Sequence, residues 1–474
     1  MRLRLLVTLG ALAGASVLWS FACVSDLPVG QDAGPDTGVT DSGPPPPQLT
    51  CKEVSPSTRR TLATVRLTTG HMWMVTRAAA PNRTQLVVPD IVADPDGGPD
   101  TRVTRTFSFD ITSQTWAVAN ATFKDMTPLA VERASNALIA AVLDEQTGDV
   151  WIYKLPDGSN TWDTSFKALT KAFIPNAPMG KRSCRGTVVV RAIDATANDY
   201  FLVVSDVTAD ACQPPFDPPV LSVARTKGAT ANLVPVKPPL LGNAPPQAYD
   251  QSHDTIAFDG PNRAWFVVSP NYENKGPGSN TTFYSVDLAA MTVSDPKPVV
   301  TDMVNDLLYP AAFSASATAG QFDFAAIGGV GMSPGMYVGQ AAFTELAAFK
   351  PRTLPGLALK STDDLPISHG GSHWEIFPNN GLSNENLLAS AAPPGGGAIF
   401  YWATEKGASI AKFDSANRVL KDVPAFTNVE ANLLGAPIVQ PGIRFGDLVF
   451  GWVTPDADGG DTGAVQVERI HCAN

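Results

Sequence analysis

Short apolar runs, each closed by turn-forming residues, recur from Cys51 to the end of the chain and constrain its fold more than any other feature. Ala137–Leu143 (ALIAAVL) precedes DEQTGD, and Val150–Leu155 (VWIYKL) precedes PDGSN. Asp199–Ser205, Ala264–Pro270, Ala398–Thr404 and Asp447–Val453 behave alike. The runs have strand length and are rich in Val, Ile, Phe, Tyr and Trp, which fit a pleated, buried surface. Pro (41) and Gly (39) supply the turns that many short strands need. With 44% hydrophobic and 17% charged residues, the chain has the means to build a core.

Several runs pair into a repeated form: an alternating strand, a polar turn often opened by Asp, and a second apolar strand. Phe107–Val118, Trp151–Trp162, Phe283–Val293 and Ile410–Leu420 share it, and Leu221–Val234 is a weaker copy. These hairpins resemble the outer two strands of a β-propeller blade, so the expectation is an all-β propeller over residues 51–474. Counting hairpins gives about seven blades, and six or eight also fit. Met336–Phe349 would hold a degenerate copy, although Ala341–Lys350 (AAFTELAAFK) reads as a short helix. The competing fold is a pair of tandem β-sandwich domains joined by a Pro-rich linker at Val234–Pro246.

The last run, Val465–Cys472, begins a hairpin that the chain never finishes. Propellers often close by letting an N-terminal segment supply the missing outer strand. Cys51 opens the domain and Cys472 ends it, so a Cys51–Cys472 disulfide would staple that closure and leave Cys184 and Cys212 to pair within one blade. Four cysteines allow three connectivities.

The N-terminus has a different character. Arg2 and Arg4 precede an uncharged stretch from Leu5 to Trp19, then Ser20, Phe21, Ala22 and Cys23. This is the layout of a cleaved export signal over residues 1–22. It resembles a bacterial lipoprotein signal, which implies lipid attachment at Cys23. Ser20 stands where that family usually has Leu, and ordinary secretory cleavage at the same bond is the alternative. Lipidation of Cys23 would leave an even number of cysteines. Residues 23–50, with DAGPDTGVTDSGPPPP, cannot bury enough apolar surface to fold and form a solvated tether. In the lipoprotein family Val24 after the cysteine is compatible with outer-membrane sorting, on the periplasmic or the cell-surface face.

Candidate sites are few. His369, His373 and Glu375 in HGGSHWE could converge on a metal, although Gly370 and Gly371 argue against the helix that such spacing suits. Asp456, Asp458 and Asp461 in DADGGD could wrap Ca²⁺ but lack an EF-hand pattern, and DPDGGPD at residues 94–100 is similar. For both loops a solvated acidic turn is the plainer reading. PDGSNTW, with Asp157, Thr161 and Trp162, partly resembles the Asp-box of sialidase-type propellers, a structural turn; Ser159 replaces its Gly. No Gly-x-Ser-x-Gly and no phosphate-binding glycine loop is present. A net charge of -11 and the lack of a basic run after Arg4 exclude nucleic acid as an expected partner.

The function expected is therefore a non-catalytic, lipid-anchored envelope protein that presents a propeller to a protein or glycan. A propeller enzyme acting on envelope or extracellular polysaccharide is the alternative and would use His253, Asp254, His369 and His373. A structural component of a membrane assembly is the third. No cofactor is expected beyond Ca²⁺ at the acidic loop.

Overall fold

The computed structural model describes residues 50–473 except 54–59, 67–72, 77–82, 111–114, 122–125, 176–179, 241–245, 251–254, 272–280, 300–307, 316–319, 329–334, 354–387, 392–397, 405–406, 414–437, 442–446, 456–461 and the single positions 94, 99, 135, 185, 247 and 351. The segment expected as an export signal, Cys23 and the expected tether up to residue 49 lie outside the described residues, while Thr50, expected as the end of the tether, opens the first strand.

The described residues fold almost wholly as antiparallel strands in consecutive order, and the fold is a β-propeller. Sheet 1 holds Trp73–Thr76, Arg83–Val92, Thr101–Asp110 and Thr115–Ala121. Sheet 2 holds Met126–Arg133, Ala137–Asp144, Val150–Pro156 and Asp163–Leu169. Sheet 3 holds Thr187–Asp194, Asp199–Asp206, Val220–Lys227 and Val234–Pro235. In sheet 4, Ala248–Asp250 and Ile256–Phe258 share one edge of Arg263–Asn271, followed by Thr282–Asp287 and two short outer pieces, Thr292–Val293 and Lys297–Pro298.

Sheet 5 runs through Leu308–Ala315, Gln321–Gly328, Gly335–Ala342 and Arg352–Thr353. A 3-10 helix, Phe343–Ala348, stands where the sequence suggested a short helix. Sheet 6 holds Leu388–Ala391, Ala398–Thr404 and Gly407–Phe413. Sheet 7 holds Ile438–Pro441, Asp447–Pro455 and Thr462–Ala473, and the last of these also pairs with Thr50–Glu53 and Arg60–Arg66. The unfinished hairpin thus takes its partner from the beginning of the domain.

The runs are continuously apolar because both faces of a sheet are covered. In Ala137–Asp144, Leu138, Ala140 and Val142 pack toward sheet 1, while Ile139 and Ala141 pack toward sheet 3. Tyr200, Leu202 and Val204 face sheet 2, and Phe201 and Val203 face sheet 4. Ala264, Phe266 and Val268 then face sheet 3, and Trp265 and Val267 face sheet 5. Successive strand residues point to opposite faces, so each strand feeds two cores. Each Val, Leu, Ile or Phe among them contributes about 1.5–3 kcal/mol on leaving water. Val65, Val465 and Val467 of sheet 7 join Leu86, Val88 and Phe107 of sheet 1 in a further core. The first strand of sheet 1 lies against the first strands of both sheet 2 and sheet 7. Side-by-side packing of consecutive sheets replaces the tandem-sandwich alternative, and Val234–Pro235, expected there as part of a linker, is instead the outer strand of sheet 3.

Candidate functional site

Of the residues singled out in the sequence, the structure joins Cys184 to Cys212 through a disulfide and sets Cys51 opposite Cys472 in register. His253, Asp254, His369, His373, Glu375, Asp456, Asp458 and Asp461 lie outside the described residues. Among the described residues no group of three or more His, Cys, Asp or Glu is arranged to hold a metal ion. The acidic turn at residues 94–100 is tied to the frame: Arg66 Nη1 donates to Asp100 Oδ2 at 2.6 Å. In the Asp-box-like turn, Ser159 Oγ accepts from Thr161 N at 3.0 Å, and the buried Trp162 donates from Nε1 to Thr106 Oγ1 of sheet 1 at 3.3 Å. That turn therefore braces sheet 2 against sheet 1.

A buried charged link connects the first strands of three sheets. Glu132 of sheet 2 is 4% exposed. Its Oε2 accepts from the Ala192 backbone N–H at 2.9 Å, and its Oε1 lies 3.4 Å from Arg191 Nη1. Arg191 Nε also donates to the Ile256 carbonyl of sheet 4 at 3.4 Å. A charge buried in an apolar strand is kept only when paired. The signal was in the sequence, since Glu132 follows LAV and Arg191 follows VVV, each a charge directly after an apolar run. The sequence reading passed over it by looking for clusters.

Tyr200, beside this link, is fully buried, and burial together with the negative charges of Glu132 and Asp194 pushes its phenol up to about 12. It stays neutral and cannot serve as a base near neutral pH. Arg225 makes a second link, donating to both Asp199 oxygens at 2.9 and 2.6 Å and to the Leu288 carbonyl of sheet 4 at 2.6 Å. Both links position strands and hold no group free for proton transfer.

The described feature that departs most from the repeated sheet is a ribbon beside sheet 3. Lys181–Ser183, in the connection leading into the sheet, pairs with Thr208–Asp210, in the connection between its second and third strands. The Cys184–Cys212 disulfide closes the ribbon, outside the four-stranded sheet itself. Ile174 flanks it on one side through Ile174 N–H to Ser183 Oγ at 2.8 Å, and Asp217 on the other through Asp217 N–H to Thr208 O at 2.8 Å. The Ser183 hydroxyl donates to Asp206, whose carboxyl burial pushes above its ordinary value. Lys181 and the Thr208 hydroxyl hold the Asp217 carboxyl below its ordinary value. Ile174 and Phe216 are each 42% exposed, and Val220 is 56% exposed.

No family model and no curated protein matches the chain. Solved structures resemble it in fold. An oligogalacturonate lyase in complex with manganese aligns over 89% of this chain and 96% of its own, with a TM-score of 0.46 and 8% identity. The oligogalacturonate lyase of Vibrio parahaemolyticus aligns over 89% and 97%, with a TM-score of 0.46 and 8% identity. The Trypanosoma rangeli sialidase aligns over 89% and 57%, with a TM-score of 0.36 and 10% identity. The likeness concerns the fold alone.

Proposed function

We propose that the chain is an exported, lipid-anchored envelope protein whose propeller presents its connections to a protein or glycan partner. One observation carries this reading. The disulfide-closed ribbon beside sheet 3 holds Ile174, Phe216 and Val220 partly exposed on a cross-linked frame. Apolar side chains held rigidly at the surface bind with little loss of conformational entropy. Lipid at Cys23, the tether over residues 23–50 and an outer-membrane location follow from the sequence argument. Ca²⁺ at Asp456, Asp458 and Asp461 belongs to the same proposal.

The second reading is a propeller enzyme acting on envelope or extracellular polysaccharide. The similar folds above belong to enzymes, a lyase and a sialidase by name. Its residues would be His253, Asp254, His369 and His373.

The full exported chain, run by electrophoresis through gels containing acidic or neutral polysaccharides, separates the two. The same mixtures are assayed for new reducing ends, with Ca²⁺, Mn²⁺ or a chelator added. Retardation without new ends is the result expected of glycan recognition. Release of ends overturns it in favour of the enzyme. Retardation by no glycan, with one membrane protein captured by cross-linking in intact cells, identifies a protein partner. In either recognition case Phe216→Ala weakens binding about tenfold while leaving the melting temperature unchanged.

A further inference from the structure

Thr50–Glu53 pairs antiparallel with Thr462–Ala473, and the register sets Cys51 directly opposite Cys472. Directly opposed residues of an antiparallel pair lie about 4.5–5.5 Å apart at Cα and share a face of the sheet. That separation falls inside the roughly 4.4–6.8 Å that disulfides span. A slip of one residue would send the two positions to opposite faces. The register is held further along the same strand, where Arg60–Arg66 pairs with Thr462–Val467. Cys184 and Cys212 are already joined, so neither competes for these two thiols.

We infer that Cys51 and Cys472 form a disulfide that seals the N-terminal strand to the last sheet. Two thiols lose two protons and two electrons as the S–S bond forms. The electrons pass by exchange to an oxidised disulfide carrier, a protein or glutathione disulfide, which leaves as two thiols. The bond lies one residue beyond the tether, at the point where the chain enters the folded part. It makes the entering strand covalently continuous with the strand that ends the chain.

A non-reducing tryptic map of the full chain, equilibrated with glutathione disulfide and alkylated, tests this. Cleavage after Arg469 releases Ile470–Asn474, which carries Cys472. The expected result is that this peptide is found joined to the peptide ending at Lys52, with fragment ions placing the link at Cys51 and not at Cys23, which the same peptide carries. Recovery of Ile470–Asn474 as an alkylated monomer overturns the inference, as does its linkage to Cys23, Cys184 or Cys212. A Cys51→Ser/Cys472→Ser double variant provides a second readout. Reductant should lower the melting temperature of the parent by more than that of the variant, and equal shifts overturn the inference.

Discussion

Glu132 and Arg191 each follow three apolar residues in their strands, and each is held by more than one partner. Removing one member leaves the other charge buried, so Glu132→Ala should cost about 3 kcal/mol of stability, read from the urea midpoint. Replacing both by Leu should recover most of that loss, because two desolvated charges disappear together. Tyr200 is the opposite case. Its hydroxyl is buried without a hydrogen-bond partner. Tyr200→Phe removes that cost and should raise stability by about 1 kcal/mol. Asp206 gives a dependence on pH. Burial raises its folded pKa above the ordinary 3.8, against the hydrogen bonds from Ser183 and Val207 that lower it. Its contribution to stability is therefore full below that ordinary value and is lost as pH rises through the raised one. Melting temperatures of Asp206→Asn against the parent should be nearest at low pH and should separate in the variant's favour toward neutral pH. Asp287 runs the other way. The Ala290 and Ala289 amides lower its pKa, so its contribution is present above the ordinary value and fades as pH falls below it.

The turns set how closely the sheets approach. In the turn after Ala137–Asp144, Asp144 Oδ1 accepts from Gln146 N and Thr147 N, and Gly148 follows with a φ of +75°. A Cβ on Gly148 would lie 1.9 Å from the Phe173 carbonyl oxygen. Gly148→Ala should therefore cost about 2 kcal/mol, measured by thermal unfolding. The same carboxylate-capped turn recurs at Asp194 and Asp287. The sequence reading took DEQTGD, which Asp144 opens, as a turn but did not relate it to Asp194 or Asp287, because the capping Asp falls at different strand junctions from sheet to sheet. Strand positions were legible throughout: Ala137–Leu143, Asp199–Ser205 and Ala398–Thr404 all fall within strands. In Ala137–Leu143 and Asp199–Ser205, burial on both faces keeps the run apolar and so makes it plain. The Lys181–Ser183 ribbon was illegible, since its three residues carry no apolar pattern and its partner lies in another connection. The Glu132–Arg191 link joins residues far apart in sequence, and only packing of sheet on sheet reveals such a pairing.

At the scale of the whole molecule, sheet 7 depends on strands from both ends of the described residues. Asp90 of sheet 1 accepts from the Arg66 backbone N–H at 2.7 Å, so the N-terminal strand that completes sheet 7 is also fastened to sheet 1. Deleting residues 50–66 removes the partner of Thr462–Ala473, takes Val65 from the core, and exposes a long strand edge. The shortened chain should elute as aggregate in size-exclusion chromatography, where the parent elutes as a discrete species. The same arrangement bears on biogenesis. Among the described strands a ribosome makes Thr50–Glu53 and Arg60–Arg66 first, yet their shared partner, Thr462–Ala473, is made long after them. The first strands must therefore wait, unpaired, until that distant segment of the chain has been made. For this protein, the first strands to leave the ribosome cannot be among the first to be fixed in place.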